Sequence, residues 1–279
     1  MLSKSNVGFS NSRDTYDSIH NITAAHKISK GKGIKIGLLD WGFGYLEHSS
    51  LYTNGLDFSC NHFNFNYVSK HGYWMTNALR EVAPECETFA LGTFIPNAED
   101  KWVDALIDAI NWSIKNNIDI LTLSHQKITN TNRSRLDDAV NKANKKGIVT
   151  TFIHYSNPNN ILPDGLFANT EEERKPDLNI FHYDYNGFAN GNPPYLSISS
   201  TSPVTAGFVA ILKSINNTLT PSEYKDILIQ TSYSMNYNDS ALNRQNVHVE
   251  RVADIGSAVK YLREIYNSLC LFKRLMPTW

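Results

Sequence analysis

The chain has 279 residues, 41% hydrophobic and 19% charged, a size and balance that fit one large α/β domain or two small ones. Its 26 basic and 27 acidic side chains leave a formal charge of −1, so nothing in the charge favours nucleic acid or an anionic membrane as a partner. Cys60, Cys86 and Cys270 are odd in number and form no Cys-x-x-Cys pair, so neither a disulfide frame nor a zinc site is expected.

The first 18 residues lack the apolar core of a signal peptide, and no run of 18 apolar residues is evident elsewhere. A cytoplasmic protein without a membrane span is expected. The first regular pattern is Ile19, Ile22, Ala25 and Ile28, which predicts a helix over 18–29, stopped by Gly31-Lys32-Gly33. Ile34–Leu39 reads as a strand ending at Asp40-Trp41-Gly42. A helix over 72–82 should stop before Ala83-Pro84, and 88–91 is a short strand. Val103, Leu106, Ile107, Ile110 and Ile114 make one apolar stripe of a helix over 102–116.

A strand over 118–123 then ends at Ser124, and a helix over 133–146 is stopped by Gly147. Residues 148–153 form the next strand, which runs out into His154-Tyr155-Ser156-Asn157. In the stretch Tyr195–Leu212, Ser202 is placed as N-cap and Pro203 in the first turn of a buried helix carrying Val204, Phe208, Val209, Ile211 and Leu212. Thr220-Pro221-Ser222-Glu223 is a capping box that opens a helix to about 230. A last helix covers 254–266. Residues 1–13 are expected as an extension, 14–266 as the domain and 267–279 as a tail.

Strands alternating with helices of this length predict an α/β fold with a mostly parallel sheet covered on both faces. In such sheets the site lies beyond the carboxyl ends of the strands, where Asp40, Ser124 and Asn157 fall. The histidines show no His-Glu-x-x-His or related spacing, so no metal and no cofactor are expected.

Four segments resemble the blocks of subtilisin-like serine proteases. GKGIKIGLLDWGFGYLEHSSL at 31–51 is similar to the block Gly-x-Gly-Val-x-Val-Ala-Val-x-Asp-Thr-Gly with its trailing His-Pro-x-Leu. HGYWMTNALREVAPE at 71–85 resembles His-Gly-Thr-His running on to Val-Ala-Pro, and NNIDILTLSHQ at 116–126 the strand that ends in Ser-Leu-Gly. SISSTSPVTAG at 197–207 resembles Gly-Thr-Ser-Met-Ala-x-Pro-x-Val-Ala-Gly. The flanks LTPSEYKDILIQTS and KPDLNIF agree as well, so the likeness spans about residues 14–266. The order aspartate, histidine, serine is the order of that family.

The resemblance implies a subtilisin-like fold and a triad of Asp40, His71 and Ser199. A serine hydroxyl needs a base at neutral pH, and His71 would take its proton while Asp40 orients the imidazole. The Ser199 N–H and the side-chain amide of Asn157, with Asn159 and Asn160 as alternatives, would form the oxyanion hole. Ser124, His125 and Gln126 would line the substrate cleft. The expected partner is a peptide or protein substrate, not nucleic acid or membrane.

The chain also departs from the pattern. Ile198 stands for a Thr, Ser197 for a Gly, Trp74 for a second His, and His125-Gln126 for Leu-Gly. The likeness begins so early in the chain that no N-terminal inhibitory prodomain is expected. These departures favour a narrow processing endopeptidase, an enzyme activated by a partner protein, or a catalytically weakened pseudoprotease that binds peptides. Hydrolysis and acyl transfer to an amine use the same triad, and the sequence does not separate them.

Overall fold

The computed structural model describes residues 3–7, 13–59, 65, 71–124, 129–153, 155–164, 176–181, 198–239 and 244–275. In chain order these form β1 (Ser3–Val7), α1 (Arg13–His20), α2 (Ile22–His26), β2 (Lys35–Asp40), β3 (Asn54–Asp57), α3 (His71–Val82), β4 (Glu87–Gly92) and α4 (Glu99–Lys115). There follow β5 (Ile120–Leu123), α5 (Asn130–Asn144), β6 (Val149–Phe152), β7 (Pro163–Asp164), β8 (Leu178–Asn179) and α6 (Ile198–Ile215). The described chain closes with α7 (Pro221–Gln230), β9 (Tyr233–Asp239), β10 (Arg244–Val252) and α8 (Ile255–Leu275).

The central sheet has the order β3-β4-β2-β5-β6, and every pairing in it is parallel. Its strands are apolar at consecutive positions because both faces are covered. Ile36, Leu38, Ala90 and Ile120 pack in one core with Leu79 and Val82 of α3 and Val204 and Phe208 of α6. Leu39, Leu91, Leu121 and Leu123 pack in the other with Trp102, Leu106 and Ile110 of α4 and Leu136 and Val140 of α5. A second sheet, β1-β9-β10-β8-β7, pairs antiparallel only between β9 and β10.

The expected α/β architecture is present, with four differences in detail. The helix over 18–29 is instead two, because Asn21 adopts φ 54° between α1 and α2 and donates to Asp254 Oδ2 at 2.6 Å. The helix expected to end at 266 continues to Leu275. The helix expected over 133–146 runs instead over Asn130–Asn144. By length and composition alone α6 could cross a membrane, and 78% of it is buried inside the protein as a core helix.

The fourth difference concerns the start of α6. Ser202 is not its N-cap; the helix begins at Ile198, and Ser202 lies one turn inside, fully buried. Its hydroxyl contacts Thr122 Oγ1 at 2.8 Å and donates to the Thr151 carbonyl. Neighbouring hydroxyls are satisfied within the helix, Thr201 on Ile198 O and Thr205 on Thr201 O. Pro203 therefore sits inside α6, where its missing N–H leaves the Ser199 carbonyl without a helical donor.

Candidate active site

The site is assembled by two helices that run in the same direction along one face of the sheet. At its far end α6 carries Lys213, whose Nζ lies 3.4 Å from Gly147 O and 3.7 Å from Asp119 Oδ1, at the amino ends of β5 and β6. Ser202 lies beside Thr122 and Thr151, further along those strands. Ser199 is three residues earlier still, about 4.5 Å along the helix axis. It therefore stands at the carboxyl end, half-buried in the first turn of α6. Its N–H is among the first four of the helix, which have no helical acceptor.

Helix α3 begins at the same end. His71 is its first residue, and its last, Val82, accepts a bond from His26 Nε2 (2.7 Å) near the amino end of β2. The two helices approach closely where a Cβ on Gly207 would come within 2.7 Å of Val82 Cβ, so only glycine fits this crossing. Gly72 has a similar role beside the site, because a Cβ there would fall 2.6 Å from the Phe43 ring.

Asp40 and His71 meet directly. His71 Nδ1 lies 2.7 Å from Asp40 Oδ1, with the carboxylate 3% and the imidazole 21% exposed. An ionised carboxylate only accepts, so Nδ1 carries the proton and, in the neutral ring, Nε2 keeps its lone pair for use as a base. The same Asp40 oxygen accepts from Trp41 N at 2.8 Å, and the Asp40 carbonyl accepts from Thr93 N at 3.1 Å. Gly72 N donates to Trp41 O at 2.8 Å, which docks the start of α3 onto the exit of β2. Burial pushes the nearby Tyr52 phenol up, so it stays neutral and donates to Phe43 O at 3.2 Å.

The remaining expected residues fare differently. Ser124 is 7% exposed and directly follows β5, at the same end of the sheet. His125 and Gln126 lie outside the described residues, as do Ser197 and His154. The Asn157 amide, expected at the oxyanion hole, is turned to α5 instead. Its Nδ2 lies 3.3 Å from Asp137 Oδ1 and 3.4 Å from Asn141 Oδ1, which occupies both of its hydrogens. Asp137 gathers this turn, since it also accepts from the Tyr155 hydroxyl and pairs with Arg133 at 3.9 Å.

The Asn160 amide is also occupied. Asn160 is fully buried, accepts from Phe152 N and donates to Phe152 O and Tyr155 O, each at 2.9 Å. The Asn159 N–H closes a turn on Asn157 Oδ1 at 3.0 Å. The amides of Asn157 and Asn160 are thus committed to neighbouring protein groups.

The sequence reading gave Trp41 and Phe94 no role. Trp41 stacks on His71 with ring centroids 6.0 Å apart and planes 8° from parallel, and Phe94 lies 5.6 Å from Trp41. The signal available was an aromatic residue directly after the strand-end aspartate. Among the described residues no group of three or more His, Cys, Asp or Glu could hold a metal ion.

No family model and no curated relative matches the chain by sequence. Solved structures do match. MycP1 with its N-terminal propeptide removed superposes with a TM-score of 0.62 at 14% identity, over 88% of this chain and 96% of that one. A lanthipeptide protease gives 0.57 at 12% identity, over 88% and 95%. A cold-adapted subtilisin-like serine proteinase gives 0.56 at 15% identity, over 81% and 89%. The chain has the subtilisin-like α/β fold, that of a group of serine proteases. At this identity the likeness is one of fold.

Proposed function

We propose that this protein is a serine endopeptidase that cleaves a peptide or protein substrate through an acyl-enzyme on Ser199. The observation that carries the reading is the Asp40–His71 pair at 2.7 Å, standing at the end of the sheet where α6 begins with Ser199. His71 Nε2 accepts the Ser199 proton as Oγ attacks the scissile carbonyl. The tetrahedral adduct then collapses, and the proton passes from Nε2 to the departing amine. Water attacks the ester by the same route in reverse, giving the proton to His71 and releasing the acid and free Ser199. The Ser199 N–H, at a helix start, supplies one donor to the oxyanion.

A narrow processing role fits better than bulk degradation, because the cleft residues implied by the resemblance are replaced at His125 and Gln126. The occupied amide of Asn157 favours a second reading, a weakened enzyme or one awaiting an activating partner. The test is labelling with a fluorophosphonate, read by intact mass, alongside Ser199→Ala. One adduct that is absent in the variant is expected. A folded wild type that takes no label would overturn the endopeptidase reading.

A further inference from the structure

The His71–Asp40 bond sets the direction of Nδ1, and packing on the ring face adds to how firmly the imidazole plane is held. A base must keep Nε2 aimed at one point, so that packing matters. The wall beside the ring is the Trp41 indole, 6.0 Å between centroids and 8° from parallel. Parallel rings at that spacing are offset, as aromatic quadrupoles prefer.

The backbone that carries the indole is tied at both its N–H and its carbonyl. Trp41 N–H donates to Asp40 Oδ1 and its carbonyl accepts from Gly72 N, each at 2.8 Å. Residues 40, 41, 71 and 72 therefore close a ring of bonds that includes the Asp40–His71 contact. Next to the indole stand Phe94 at 5.6 Å and, edge-on to Phe94, the buried Trp102 at 6.4 Å. The electron-rich indole face also favours the imidazolium formed once the base holds a proton. In the family block that this segment resembles, a Thr stands here, too small to face the ring.

We infer that Trp41 is a positioning residue for His71, holding the imidazole plane and stabilising its protonated form through an aromatic face. The inference rests on His71 being the base of the proposed reaction. Its test combines the rate of fluorophosphonate labelling with NMR of isotopically labelled histidine in wild type, Trp41→Ala and Trp41→Phe. The alanine variant should label about tenfold more slowly and lose the indole ring-current shift of the His71 ring protons. The phenylalanine variant retains an aromatic face, should stay within about threefold of wild type, and stands in if the alanine variant fails to fold.

Equal rates in the alanine variant and wild type would overturn the inference, as would a phenylalanine variant as slow as the alanine one. An unchanged His71 signal in Trp41→Ala would overturn it too. A folded wild type that takes no label is a different failure. It removes the endopeptidase reading, and the positioning role with it, whatever the ring-current shift shows.

Discussion

Replacing Gly207 by alanine tests whether the crossing of α3 and α6 is as close as described, because the two possible effects have opposite signs. On an open helix face the change would stabilise by about 1 kcal/mol, since alanine is the better helix former. Here the new Cβ would stand 2.7 Å from Val82 Cβ, 2.8 Å from Val82 Cγ1 and 3.4 Å from Leu79 O. Val82 and Leu79 are fully buried, and a Cβ attached to a packed helix cannot turn away. Overpacking of this kind costs about 1–3 kcal/mol, and a backbone-anchored contact belongs at the upper end. The net expectation is a loss of about 1–2 kcal/mol, read as a lower urea midpoint at unchanged slope. Adding Val82→Gly removes both Val82 Cβ and Cγ1 and with them the clash, so the double variant should be more stable than the two single losses sum to. A Gly207→Ala protein more stable than wild type, or strict additivity with Val82→Gly, would refute the close crossing.

Two further expectations concern titrating groups. The Thr220 backbone N–H, then its side chain, hold the Glu223 carboxyl below the usual carboxylate range. A depressed folded value gives stability that is present above the unfolded value and lost as pH falls through the folded one. The advantage of wild type over Glu223→Gln in urea midpoint should therefore fade from about pH 4 downward; an advantage that grows with acidity would contradict the capping box. Burial pushes the Cys86 thiol up to about 12, so almost no thiolate exists at pH 8. Iodoacetamide should leave Cys86 unmodified in the folded protein and alkylate it in urea, as read by peptide mapping; rapid native modification would contradict its burial.

Where the sequence was informative, a local rule and the tertiary environment agreed. The run before Asp40 is apolar at successive positions because β2 is buried on both faces, so strand and strand-end aspartate were legible together. The Thr220 capping box is satisfied in both directions, as its spacing implies. Other elements carry no such signature. Asn54–Asp57 has neither alternation nor β-branched residues, and it forms β3 through pairing with β4. The β9–β10 hairpin is largely polar, and its register comes from the partner strand. The start of α6 was misplaced because Ser-Pro reads locally as a helix entrance, whereas the Ser202 hydroxyl is claimed by Thr122 and Thr151 from the sheet. Asn157 misled in the same way. An amide in a turn after a strand has no fixed direction until a neighbour claims it, and Asp137 on another helix does so here.

The main-chain bonds that close around Asp40, Trp41 and Gly72 have a consequence for how this fold ages. Two of them, Gly72 N to Trp41 O and Thr93 N to Asp40 O, use only peptide N–H and C=O groups, which every residue but proline provides in full. The segments that carry Asp40 and His71 are thus held in register in part by main-chain atoms. A frame of this kind leaves little for sequence comparison to detect, and the solved structures match this chain in fold at 12–15% identity.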